Sequence, residues 1–141
     1  MLLGIDHVGL AVRDLDAAAD RYLRALGMTA GHRETVEAQG VEAVFLDTGD
    51  PGSSVELLAP LRPDSPVGRF LDSRGEGLHH VAYRVDDIHA VLDHLRAEGV
   101  PLVDEEPREG SRGTLIAFAH PKGFSGTLVE LVQHPAEEAS P

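Results

Sequence analysis

The sequence predicts an α+β fold made from two tandem copies of one strand–helix–strands module. Three observations carry this. The chain echoes itself at a spacing of about 73 residues. Each copy opens on an apolar, β-branched run followed by an aspartate and then a helical periodicity. At 141 residues the chain is one domain by length, with room for two small half-domains inside it.

The elements follow in order. Residues 5–12, "IDHVGLAV", alternate as a strand. Asp14 is placed to cap a helix over 15–26, with Leu15, Ala18, Ala19, Tyr22, Leu23 and Leu26 on one face and Gly27 as its stop. Strands are expected at 40–50 and at 53–60, the second closed by Pro60. The stretch 61–75, bounded by Pro and Gly, reads as a linker with a short helix over 66–73. The pattern then restarts. A strand covers 79–85, Asp87 caps a helix through 98, Gly99 stops it, and strands follow within 113–123 and 125–133. The modules are thus 4–60 and 76–133, and the polar tail 134–141 is expected to fray.

Composition removes several classes of function. No run of about 18 apolar residues is present, so no membrane span is expected. The first residues read directly into a strand without a basic leader, so no signal peptide is expected. With no cysteine there is neither a disulfide frame nor a thiolate site, and a cytoplasmic location is expected. A net charge of −12 argues against nucleic acid and anionic membranes as partners.

The adjacent histidines of "GLHHVAYRV" ask which of the two faces a site, because neighbours on a strand point to opposite faces. The echo answers. His7 falls on His80, Val8 on Val81, Val12 on Val85 and Asp14 on Asp87, while "VELL" at 55–58 meets "VELV" at 129–132. His80 is therefore the partner of His7, and His79 is expected to face away. Four polar residues remain at matched strand positions: His7, Glu56, His80 and Glu130. An unpaired charge buried in an apolar strand costs several kcal/mol or more. A coincidence of such residues at the same register in both copies points to a pseudo-symmetric site of two histidines and two carboxylates for one divalent ion. That donor set suits Co, Mn, Ni, Zn or Fe better than Ca.

The blocks "IDHVGLAVRDLDAA", "QGVEAVFLD", "VELLAPLRPDSPVGRFL", "RGEGLHHVAYRVDDI", "DEEPREG" and "HPKGFSGTLVEL" resemble the vicinal oxygen chelate (glyoxalase-like) superfamily, and within it the methylmalonyl-CoA epimerase family, over residues 5–133. The resemblance implies two βαβββ modules in a curved mixed sheet around a metal cup, with His7, Glu56, His80 and Glu130 as ligands. It also implies an isomerase that interconverts the 2R and 2S forms of methylmalonyl-CoA by removing and returning the C2 proton through a stabilised enolate, and a homodimer. Glu130 is expected to serve as ligand and base. Several relatives carry a second glutamate where this chain has Ala43; Glu42 is the neighbouring candidate, turned away from the cup by alternation unless a bulge re-aims it. Lys122 and His120 in "AHPKGFSG", with Arg108 and Arg112 in "PREGSRG", are candidates for contacts to the CoA phosphates. Within the same fold the rivals are glyoxalase I (lactoylglutathione lyase), acting on a glutathione hemithioacetal, and a metal-free ligand-binding protein. An extradiol dioxygenase would use a different ligand count and a longer chain.

Overall fold

A computed structural model describes residues 1–136. The tail expected to fray lies, from residue 137 onward, outside the described residues. The chain divides into two compact units, one of residues Ile5–Ala82 and one of Met1–Gly4 with the chain from Tyr83 onward.

In the first unit, β1 (Leu2–Ala11), from its Ile5 onward, leads into α1 (Leu15–Leu26), then β2 (Thr29–Val36), β3 (Val41–Asp47), β4 (Ser54–Pro60), α2 (Pro66–Arg74) and the start of β5 (Gly77–Val85). The strand order is β2-β3-β4-β1-β5. β1 runs parallel to β4, and the β2–β3 and β3–β4 pairs are antiparallel. Helix α1 starts where expected because the Asp14 carboxylate accepts from the Ala17 N–H at 3.0 Å. It stops at Gly27, whose φ of 71° is the left-handed conformation a glycine adopts without a Cβ penalty.

Alternation along β3 sorts its side chains onto two faces. Val44 and Leu46 join Leu57, Leu15 and Val12 in the core beneath α1. Val41 and Ala43 join Ala11 and Leu58 against Val67 and Leu71 of α2. The linker helix therefore covers one face of β3 and β4 while α1 covers the other.

The second unit holds α3 (Ile88–Ala97), β6 (Arg108–Glu109), β7 (Leu115–Ala119) and β8 (Val129–Gln133), with β7 antiparallel to both β6 and β8. Asp87 repeats the cap of Asp14, accepting from the Ala90 N–H at 3.2 Å. Ile88, Val91 and Leu92 of α3 pack on Val85, Ala117, Ala119, Val129 and Leu131. Among the described residues no helix is long and apolar enough to cross a membrane.

The α+β class and the strand–helix–strands order of each copy are as the sequence predicts. β2 and the two-residue β6 are the strands that residue patterning did not supply. "TAGHRETV" is mostly exposed, and as an edge strand it shows no apolar alternation. The later strands are shorter than expected: 113–123 holds only Leu115–Ala119 before a single 3₁₀ turn at Pro121–Gly123.

Candidate metal centre

The first unit buries His7, Glu56 and His80 at 3%, 7% and 2% exposure. His7 lies on β1 and Glu56 on β4, on the face opposite the α1 core, since Leu57 beside Glu56 points into that core. The His7 and His80 Nε2 atoms are 3.1 Å apart, and the Glu56 Oε1 atom lies 3.3 Å from the first and 3.4 Å from the second. These three are the cluster among the described residues whose donor atoms all approach within 4.8 Å.

Their spacing fits a common ion. Ligands about 2.0–2.2 Å from a divalent cation, at angles between octahedral and tetrahedral, stand roughly 3.0–3.5 Å from each other. The far side of His7 supports the same reading: its Nδ1 lies 2.7 Å from the Asp6 carboxylate, itself 2% exposed. A carboxylate there accepts a hydrogen bond from Nδ1–H, which keeps the ring proton on Nδ1 and leaves the Nε2 lone pair facing Glu56 and His80. Three lone pairs converging in a buried place repel one another unless a cation, or a proton shared with the rings, lies among them. Burial pushes the Glu56 carboxyl up, but when protons lie on the facing ring nitrogens of His7 and His80 their hydrogen bonds and charge outweigh it and hold the group at about 2. Glu56 is thus an anion, the form that ligates.

Neighbours fix this geometry. Phe45 is the cross-strand partner of Glu56, and its ring meets His7 edge-on at 5.4 Å between centroids. Gly9 is the partner of Glu56 on the other side, in the parallel β1–β4 register. A Cβ built on Gly9 would lie 2.1 Å from His80 Cε1, so the imidazole rests against bare backbone.

His79 departs from its expected place. Rather than standing clear of the site, its ring touches His80, Nδ1 to Nδ1 at 2.9 Å, and meets Phe70 of α2 edge-on at 4.9 Å. Strand alternation sets where a side chain leaves the backbone, but an imidazole is long enough to curl back against its neighbour.

Glu42 lies on the α1 side of β3, the same side as Val44 and Leu46, with its carboxylate 2.8 Å from Arg33, which also binds Asp16 of α1 at 2.6 Å. No bulge re-aims it: the β3–β4 register runs unbroken from Val41 to Asp47. Ala43 occupies the α2 face with 1% exposure.

The remaining candidates belong to the second unit. Glu130 is 5% exposed on β8, on the face opposite α3, and Phe118 is its cross-strand partner. Arg108 pairs with Asp104 at 3.4 Å and lies over the Phe118 ring. Arg112, at a left-handed φ of 58°, lines a cleft of about 620 Å³ with Arg84, Gln133 and His134. His120 Nδ1 accepts from the Lys122 N–H at 3.0 Å and caps a turn; the Lys122 side chain is exposed. Neither lines that cleft.

Sequence reasoning passed over Asp6, Gly9 and the phenylalanine pair. Phe45 and Phe118 are 73 residues apart, and each opposes the glutamate of its own copy. The echo that selected the four polar residues held this signal too.

A fold of this kind around a buried two-histidine, one-carboxylate cluster defines a class. The chain belongs to the Glyoxalase/Bleomycin resistance protein/Dioxygenase superfamily, whose family model matches residues 6–118. Within it, the chain is 39% identical over 135 residues to the ethylmalonyl-CoA/methylmalonyl-CoA epimerase of Cereibacter sphaeroides, covering 94% of this chain and 99% of that protein. The crystal structure of methylmalonyl-CoA epimerase from Mycobacterium tuberculosis matches at a TM-score of 0.92 and 41% identity, over 96% of this chain and 90% of that one. A methylmalonyl-CoA epimerase solved in complex with methylmalonyl-CoA and NH4+ matches at 0.92 and 43%, over 99% and 100%.

Proposed function

We propose that the protein is a methylmalonyl-CoA epimerase that uses one divalent ion held by His7, Glu56 and His80, with Glu130 as fourth ligand and base. The observation that carries this is the buried, convergent donor triad, in a chain 43% identical along nearly its whole length to an epimerase solved with methylmalonyl-CoA. Two imidazoles and carboxylate oxygens suit Co, Mn, Ni, Zn or Fe. The ion supplies Lewis acidity that stabilises negative charge developing on the substrate oxygens. A metal-free binding protein of the same fold has no need of three buried donors aimed at one point.

The chain's own residues then divide the proton work. C2 lies between a thioester carbonyl and a carboxylate, so its proton is already acidic. Glu130 takes it, and the reverse transfer to the opposite face gives the other epimer. We assign no second base to β3, since Ala43 ends in a methyl group and the Glu42 carboxylate pairs with Arg33 on the α1 side. The opposite face is served by water or by turning of the enolate. Arg108, Arg112, His120 and Lys122 are the groups assigned to the CoA phosphates. The proposal extends to a homodimer, for which Leu2, Leu3 and Ile5 on β1 are unusually exposed, and to a cytosolic location.

The test is deuterium exchange at C2 of methylmalonyl-CoA, followed by NMR, with metal-reconstituted protein. Wild type should exchange C2 and yield both epimers. Glu130→Gln should keep its ion and lose exchange; exchange at the wild-type rate would overturn the base assignment. No exchange by wild type, with turnover of a glutathione hemithioacetal, would favour the glyoxalase I reading instead.

A further inference from the structure

The residue that precedes each ligand histidine makes the same contact in both copies. Asp6 and His79 are 73 residues apart, as are His7 and His80. Asp6 Oδ2 lies 2.7 Å from His7 Nδ1, and His79 Nδ1 lies 2.9 Å from His80 Nδ1. In each case the neighbour reaches round the strand to the ring nitrogen that points away from the site, leaving Nε2 for it. From this repeated geometry we infer that Asp6 and His79 are a matched pair of positioning residues. Each accepts the Nδ1 proton of the following histidine and fixes the tautomer and ring angle in which Nε2 binds the ion. The inference rests on the metal-centre reading above and says which groups outside the ligand set make it work.

The two acceptors differ in kind. Asp6 is a buried carboxylate, so its bond to His7 is charge-assisted and raises the basicity of Nε2. His79 is half-buried and neutral when it accepts, so its Nδ1 must carry the lone pair and its proton must sit on Nε2. A neutral imidazole holds its angle only if something else holds it. Phe70 of α2 does so edge-on, and the Arg74 guanidinium lies over the Phe70 ring at 5.7 Å. The linker helix therefore supports His80 through His79, while on β1 Asp6 holds the Nδ1 side of His7. Removing an outer group of this type typically weakens metal binding about 10–100-fold.

The experiment is a competition titration of Co(II) into the full-length apo protein, read by the visible spectrum of the bound ion. Wild type should bind one Co(II), and His80→Ala should abolish it. His79→Phe keeps an aromatic ring against Phe70 but removes the acceptor. It should still bind, about 10–100-fold more weakly and with a changed spectrum. His79→Asn places a carbonyl oxygen near the lost Nδ1 and should recover most of the affinity. A role in packing alone predicts the reverse order, with Phe tolerated and Asn not. Asp6→Ala should weaken binding by at least as much as His79→Phe. If Asp6→Ala does not fold, the His79 pair still decides. Wild-type affinity and spectrum in His79→Phe would overturn the inference. Absence of Co(II) binding by wild type would instead overturn the metal-centre reading beneath it.

Discussion

Gly9 stands where the three ligands meet. It is two residues from His7 on the same face of β1, it opposes Glu56 in the β1–β4 register, and the His80 ring covers its Cα. Its φ is not in the left-handed region, so alanine is compatible with the backbone and only the 2.1 Å approach to His80 forbids a methyl group. Gly9→Ala should therefore displace the imidazole and lower both metal affinity and thermal midpoint. In a His80→Ala background the same substitution should be nearly neutral, because the ring it collides with is gone. A thermal double-mutant cycle on the apo protein measures this, and additive effects would rule it out. The ligands themselves were legible because a buried acid or imidazole interrupts an apolar strand and the interruption recurs. Gly9 was not, since a glycine in a strand has no side chain whose chemistry could announce a role. Asp6 and His79 were hidden for a related reason: alternation assigns them to the wrong face, and only side-chain reach brings them back.

At the level of elements, the helices were the easiest to read, because their ends are fixed by local chemistry. Asp14 and Asp87 each accept from the backbone N–H three residues on, at 3.0 and 3.2 Å, and α1 begins and ends where its sequence said. Asp14→Ala and Asp87→Ala should each cost about 1 kcal/mol of unfolding free energy, measured by urea denaturation with unchanged slope. A loss much below about 0.5 kcal/mol at either position would mean that packing, and not the cap, sets that helix start. The strands were harder. Central β3 and β4 alternate visibly because each face meets a different helix, α1 on one side and α2 on the other. Edge strand β2 was invisible because no such constraint acts on it. What fixes it is pairing with β3 and polar contacts such as Arg33 with Glu42, neither of which leaves a periodic trace in the chain.

For the whole molecule, the balance of charge bears on how the site is filled. The chain carries −12 overall, and a field of that sign draws divalent cations toward it. His7, Glu56 and His80 come from β1, β4 and β5, strands separated by long stretches of sequence, so this triad forms only when the first unit is folded. An ion that binds the native state and not the unfolded chain stabilises by mass action, about 2.7 kcal/mol when its free concentration is 100 times Kd. For a chain of this length that is on the order of 8 °C in the thermal midpoint. Removing the ion with a chelator should lower the midpoint by about that amount, and returning Co(II) or Zn(II) should restore it in a concentration-dependent way. His80→Ala should show no response to chelator or to added ion, and its apo midpoint should fall below that of apo wild type, because a buried ring that stabilises the Glu56 anion has been removed and a cavity left in its place. Differential scanning calorimetry of the four states separates the terms. A midpoint in wild type that ignores the chelator would mean that protons shared among His7, Glu56 and His80 already satisfy the cluster, and that the buried triad is built for stability without an ion.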